Sequence, residues 1–200
     1  MGIILKGIYG DQNVHSEIIY DKDKKFIDWW IEKGDKIYLF EAKASQFALK
    51  SLQTGNRELI LAGEIKKIAE SIRQVFKRVQ DISNYDEFSI FRNKKIIPII
   101  VFMDMPFIST NLYRSLINEA LEEFEKEEQL NGLKDFQIHL MNIEDLESFD
   151  EAADKIGLED VFADIKDDPS IDFSAIVSKV RNGNLRNRVL DKAFKDFWKN

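Results

Sequence analysis

The sequence contains no cysteine, which removes disulfides, thiol nucleophiles and cysteine-based zinc sites together. Histidine is nearly as scarce: His15 and His139 are the only two, too few for a histidine-rich metal site or a Ser-His-Asp triad. Neither G-x-x-x-x-G-K-[ST] nor G-x-G-x-x-G occurs, so the usual glycine-rich nucleotide cradles are excluded. No apolar run approaches the roughly 18–20 residues that a membrane span needs. The N-terminus also lacks the apolar core of a secretory signal, so the chain reads as soluble, intracellular and cytoplasmic, with no membrane partner. With these chemistries set aside, carboxylates and lysines are left to carry any reaction.

The chain is 200 residues long, 44% hydrophobic and rich in phenylalanine, enough for one ordinary domain core with or without a small helical appendix. Its net charge of −7 conceals a split. Residues 117–172 sum to −15, and the remainder to +8. One part of the molecule can therefore present a positive field to a phosphate backbone despite the acidic average. The plainer alternative is two solvated faces of opposite sign.

Residues 14–20 read as a strand, 26–31 as an aromatic and β-branched strand, 32–35 as a turn and 37–44 as a further strand, together an antiparallel meander. Residues 45–63 have no clean period and read as loop. From Glu64, Ile65, Ile68, Ile72, Val75, Phe76 and Val79 recur at helical spacing up to about Ile82. Residues 96–103 form a continuous apolar run, a buried strand in which Pro98 argues for an edge position or a bulge. A helix capped by Asn111 runs to about Glu128 and ends at Asn131-Gly132, and residues 136–141 are the next strand. Shorter helices are expected around 144–156, 171–181 and 186–198. The mixture of strands and helices indicates an α/β or α+β chain with a mixed sheet.

The stretch from Phe26 to Ala44 is the most informative. With Gly34-Asp35 as a two-residue type II′ turn, Lys33 pairs with Lys36, Ile31 with Tyr38, Trp30 with Leu39, Trp29 with Phe40 and Ile27 with Ala42. Aromatic and aliphatic side chains then face each other across the strands, which supports the register. The same register sets Asp28 opposite Glu41, and the pleat puts Lys43 on their face. Two carboxylates that close repel each other unless one is protonated, a cation intervenes or a metal binds. Lys43 can neutralise one of them; Mg²⁺ would use both and complete its shell with water and phosphate oxygens. An isolated E-x-K triplet is common in a chain this charged. The same triplet facing Asp28 on an apolar hairpin is more specific.

Asp28, then Glu41-Ala42-Lys43 at the end of an apolar strand, resembles the PD-(D/E)XK nuclease superfamily and its restriction-endonuclease-like fold. The order of elements over about residues 14–142 is similar too: three strands, helix, strand, helix, strand. The resemblance implies an α/β three-layer core with a central mixed sheet over residues 1–143, and a helical C-terminal extension over 144–200 packed on it. It implies Mg²⁺, with Mn²⁺ as a substitute, held by Asp28, Glu41 and the main-chain carbonyl of Ala42. Lys43 would orient or activate the attacking water and offset charge on the scissile phosphate. Relatives also place a Gln on the helix after E-x-K, for which Gln74 and Gln80 are the candidates. Gln74 ranks first because Arg78 completes a Gln-x-x-x-basic pattern, although a helical wheel sets it about opposite the Ile65/Ile72/Val79 seam.

The chain departs from the family pattern in two places. Ile27 stands where the motif has proline. The family's helix before the first strand, with its extra acidic residue, has no counterpart in the 13 residues before Val14. Either the chain is a fragment of a larger polypeptide or its branch has lost the element. Glu17 is the nearest substitute acid, and its plainer reading is an exposed strand residue. The implied activity is Mg²⁺-dependent hydrolysis of phosphodiester bonds in DNA, by relatives that often cut as homodimers. The rival is an inactive nuclease-fold domain serving as a nucleic-acid- or protein-binding module of a larger protein. On the 64–82 helix, Lys66, Arg73 and Lys77 share a side that can touch phosphates or simply face solvent. Trp29 and Trp30 read as sheet packing before base stacking, and His139 as a core histidine before a ligand.

Overall fold

The computed structural model describes residues 1–44, 63, 65–103 and 111–147, with only the backbone of 111–114. It is an α/β protein with a five-stranded mixed sheet. The expected loop at 45–63, apart from Gly63, and the expected helices beyond residue 147 lie outside the described residues; residues 143–147 are helical. The chain divides into two compact units, His15–Leu140 and Met1–Val14 together with Met141–Asn200.

In the second of these, residues Gly2–Tyr9 form a helix, α1, where the sequence was expected to have none. Gly2 and Gly7 weaken its intrinsic propensity, but Ile4 and Leu5 are buried and supply the tertiary energy that decides the matter. Gly10, at φ +82°, ends it, its N–H donating to the Lys6 carbonyl at 2.9 Å. α1 contains no Asp or Glu.

The strands are β1 (Val14–Ser16), β2 (Ile19–Tyr20), β3 (Lys24–Lys25), β4 (Trp29–Lys33), β5 (Lys36–Lys43), β6 (Lys95–Phe102) and β7 (His139–Asn142). The main sheet runs β1-β4-β5-β6-β7, and β2 and β3 make a separate antiparallel pair. The expected 14–20 strand is therefore two short ones, divided at Glu17-Ile18. β4 and β5 pair antiparallel in the expected register, from Lys33 with Lys36 to Trp29 with Phe40. Gly34 has φ +62° and Asp35 has no positive φ, the combination a type II′ turn requires. The ladder stops at Trp29, so the expected backbone pairs of Ile27 with Ala42 and Asp28 with Glu41 are not made.

β5 and β6 run parallel over eight residue pairs, which makes β6 an interior strand and overturns the edge position inferred from Pro98. The N–H groups of Lys95 and Met103 both donate towards β5, to Asp35 and Lys43 carbonyls at 2.8 and 3.2 Å. Strand alternation then turns position 98 away from β5, so the missing donor costs that ladder nothing. On the other side, four-residue β7 cannot cover all eight residues of β6.

Helix α2 (Lys66–Asp81) lies close to its expected span, and α3 (Asn111–Glu128) matches its own. α3 ends with Gln129 at φ +54°, and Gly132 follows at +88° in the next turn. α2 buries Ile68, Ala69, Ile72, Val75 and Phe76 against Ile37, Leu39, Trp30, Ile100 and Phe102 of the sheet. Each large aliphatic side chain so buried contributes about 1.5–3 kcal/mol. β7 starts at His139 rather than 136 because Phe136 is held in a turn, its N–H on the Leu133 carbonyl, with its ring edge-on to Phe76 at 5.1 Å.

Candidate active site at the end of strand β5

β5 carries Ile37, Leu39, Glu41 and Lys43 on the face that meets α2, an alternation that begins apolar and ends charged. That change of character puts two charged side chains where the buried face reaches its rim. Glu41 is 5% exposed and is one of two buried polar residues among those described. Its two oxygens are divided between cations: Oε1 accepts from Lys43 Nζ at 2.8 Å, and Oε2 pairs with Arg78 Nη1 at 2.7 Å.

Asp28 arrives from the other strand of the hairpin by a different route from the one expected. Its Oδ2 accepts the N–H of Ala42 at 2.8 Å, so the carboxylate itself replaces the acceptor that a continued β4 would have offered. In an extended strand the N–H and C=O of one residue point to the same side. The Ala42 carbonyl therefore shares the edge occupied by Asp28. Burial raises the Asp28 pKa, and the Glu41 charge adds to the rise; the Ala42 N–H, Arg78 and Lys43 oppose it. Asp28 and Glu41 thus share one electrostatic environment although their backbones are not paired.

α2 completes the cluster. Gln74 Oε1 accepts from Lys43 Nζ at 3.0 Å, so Lys43 is held between Glu41 and Gln74. The helical wheel misplaced Gln74 because it was centred on Ile65, Ile72 and Val79. The stripe that is buried is Ile68, Ala69, Ile72, Val75 and Phe76, together with Ser71. Gln74 lies on the flank of that stripe, half-buried, and the long Lys43 side chain spans the remaining gap. Gln80 is exposed and takes no part. Arg78, one turn beyond Gln74, is the residue sequence reasoning underused. It served there only to rank Gln74, yet it is the second counter-ion of Glu41. The i, i+4 spacing was the available signal.

Two carboxylates and two cations balance within the cluster. Among the described residues no group of three His, Asp or Glu collects, so a metal would find two carboxylates here. Mg²⁺ typically uses one or two protein carboxylates and keeps the rest of its octahedron for water and phosphate oxygens; both oxygens of Glu41 are here paired with cations, which a metal would have to share or displace. Asp28, Glu41 and the Ala42 carbonyl are the groups that would hold it.

The remaining candidates go elsewhere. Glu17 is exposed and pairs with Lys25 at 3.0 Å, outside the cluster. Arg73 and Lys77 both bind Glu128 of α3, and Arg73 also lies over Phe124 at 5.0 Å. Trp30 is 7% exposed, stacked on His15 at 4.0 Å and edge-on to Phe91 at 5.1 Å, so it packs. His139 is half-buried, and that burial pushes its pKa down to about 4. No helix among the described residues is long and apolar enough to cross a membrane. The chain matches no protein-family model, no curated protein and no solved structure.

Proposed function

We propose that this chain is a Mg²⁺-dependent nuclease with a restriction-endonuclease-like core, hydrolysing phosphodiester bonds of DNA. The observation that carries the reading is the gathering of Asp28, Glu41, Lys43 and Gln74 at the end of one strand. Glu41 and Gln74 fix the Lys43 ammonium between two acceptors, which holds it in place within the cluster. From there it can hold an attacking water by hydrogen bonding and meet the charge that grows on phosphoryl oxygens. Preorganised charge of this kind stabilises a transition state without reorganising when the reaction occurs. A bound Mg²⁺ would supply a water of lowered pKa and polarisation of the phosphate. Arg78 brings a planar, permanently charged group suited to phosphate recognition.

One observation favours the rival, a nuclease-fold domain that binds without cutting: among the described residues no third His, Asp or Glu joins Asp28 and Glu41. Calorimetry of Mg²⁺ and Mn²⁺ binding to wild type and Asp28→Asn, with plasmid cleavage, separates the two. Asparagine can still accept the Ala42 N–H, so the fold is retained. Metal binding and cleavage that both disappear in the variant support the nuclease. Wild-type protein that binds DNA but neither metal is the binding module.

A further inference from the structure

At the end of the sheet away from the cluster, three lysines are cross-strand neighbours. Lys33 of β4 pairs with Lys36 of β5, and Lys36 pairs with Lys95 of β6. Partners in a ladder point to one face. Here it is the face opposite the one that α2 covers, because Lys36 alternates with Ile37 and Leu39. Neighbouring strands lie about 4.8 Å apart, so the three Cβ atoms span about 10 Å. Like charges set directly opposite each other destabilise a sheet, and two such pairs meet at Lys36. Among the described residues nothing relieves them, for none of the three ammonium groups takes part in an ion pair or hydrogen bond. Glu32, beside Lys33, alternates to the other face and is taken by Lys94 at 2.8 Å. Asp35, in the turn, is exposed and pairs with neither of its lysine neighbours. The backbone under the row is tied down: Lys94 Nζ donates to the Gly34 carbonyl at 2.7 Å, and the Lys95 N–H to that of Asp35 at 2.8 Å. One lysine of this region is thus neutralised, and the three in line are not.

We infer that Lys33, Lys36 and Lys95 form a binding site for a compact polyphosphate anion, of the class of a triphosphate chain. An ammonium is a point charge with three donors, suited to phosphate oxygens without a fixed fork geometry. Three of them match an anion that carries three or more negative charges, and its binding offsets the repulsion among them. The next layer on the same face is Ile31, Tyr38 and Ile97, all buried. No ring is therefore offered to a base, and the phosphate chain alone is recognised. The site does not depend on the nuclease reading: Lys36 and Lys43 stand at opposite ends of β5, about 23 Å apart and on different faces.

The test is titration calorimetry of the full chain with sodium tripolyphosphate, ATP and orthophosphate, in EDTA at about 50 mM salt, where surface charges are weakly screened. Tripolyphosphate and ATP should bind one-to-one with affinities within about threefold of each other, and orthophosphate about tenfold or more weakly, because it carries less charge. Lys36→Met keeps the aliphatic stem and removes the central charge, so it should weaken tripolyphosphate about tenfold. Lys66→Met, exposed on α2, is the control and should stay within about twofold of wild type. Without ligand, Lys36→Met should melt above wild type at low salt, because it relieves repulsion rather than removing a support. Tripolyphosphate that fails to bind wild type, or binds Lys36→Met as tightly, overturns the site. Equal losses in Lys66→Met, or a Lys36→Met protein that melts below wild type, overturn it too. ATP bound far more tightly than tripolyphosphate overturns recognition of the phosphate chain alone. A duplex DNA that binds through Lys36 while tripolyphosphate does not bind overturns the compact anion in favour of an extended backbone.

Discussion

On one flank of α2, Arg73 and Lys77 meet Glu128 of α3; on the other, Gln74 and Arg78 meet Lys43 and Glu41 of the sheet. Both flanks are built from an i, i+4 pair, and in both a carboxylate is shared by two cations. They differ in where that carboxylate lies. Glu128 has 29% of its side chain exposed and can exchange its partners for water, whereas Glu41 has 6%. A carboxylate as buried as Glu41 must keep its counter-ions or acquire new ones. A second acid, Asp28, has been brought into the same environment at a cost visible in its raised pKa. Pairing on the exposed flank needs no more than helix packing to explain it. On the buried flank a second carboxylate, Asp28, stands in the field of the first, and that placing of like charges together is the argument for chemistry.

Lys43 should separate the flanks most sharply. Lys43→Met is expected to reduce cleavage by about 10²–10³-fold while divalent-metal binding persists, because it removes transition-state charge stabilisation rather than a metal ligand. Lys77→Met should leave the rate near wild type. Equal losses in the two variants would mean that the whole positive field of α2, and not the cluster, supports turnover. Next comes Arg78→Ala, which leaves Glu41 buried with one partner. Removing one member of a buried pair implies a loss of about 2–4 kcal/mol in denaturant unfolding of the metal-free protein. Added Mg²⁺ should recover part of it, since a ligand of the folded state raises stability. An Arg78→Ala protein as stable as wild type would show that Glu41 is less confined than its burial indicates.

The contrast also explains what could be read in advance. The β4–β5 register was legible because turn chemistry and a two-residue period specify it jointly: Gly34 supplies the positive φ, and one slip would have exposed every aromatic. The nearness of Asp28 to Glu41 followed from that register. Its means did not, because a side chain substituting for a ladder acceptor leaves no periodic trace. Gln74 could be ranked from its spacing to Arg78, but its orientation depended on which stripe of α2 the sheet covers, a tertiary fact. The partnership of Arg78 with Glu41 is likewise long-range. α1 escaped notice because two glycines in eight residues outweigh a short apolar stretch until burial is counted. Pro98 misled because a parallel ladder uses only alternate N–H groups on each side.

His139 offers a third way of meeting burial, neither exposure nor charge pairing, in giving up its proton. Its folded-state pKa of about 4 lies below the ordinary 6.5, so the folded protein binds fewer protons than the unfolded chain between those values. Stability attributable to this residue is complete above about pH 6.5 and is lost as the pH falls towards about 4, by at most about 3 kcal/mol. His139→Leu should flatten that part of the stability–pH curve while leaving the curve above pH 7 almost unchanged in shape. An unaltered slope would place the acid sensitivity in the carboxylates instead.

The smallest effect belongs to the exposed flank. Lys77 and then Arg73 lower the pKa of Glu128, so its contribution is present above the usual carboxylate range and fades as the pH falls through the depressed value. Glu128→Gln should lower the melting temperature slightly at low salt, and the difference from wild type should shrink as salt is added, because exposed charges are screened. The same addition of salt should hardly change the deficit of Arg78→Ala, whose partner is shielded from ions. If salt rescued both variants alike, burial would not distinguish the flanks, and the two neighbouring carboxylates would need no explanation beyond an ordinary surface.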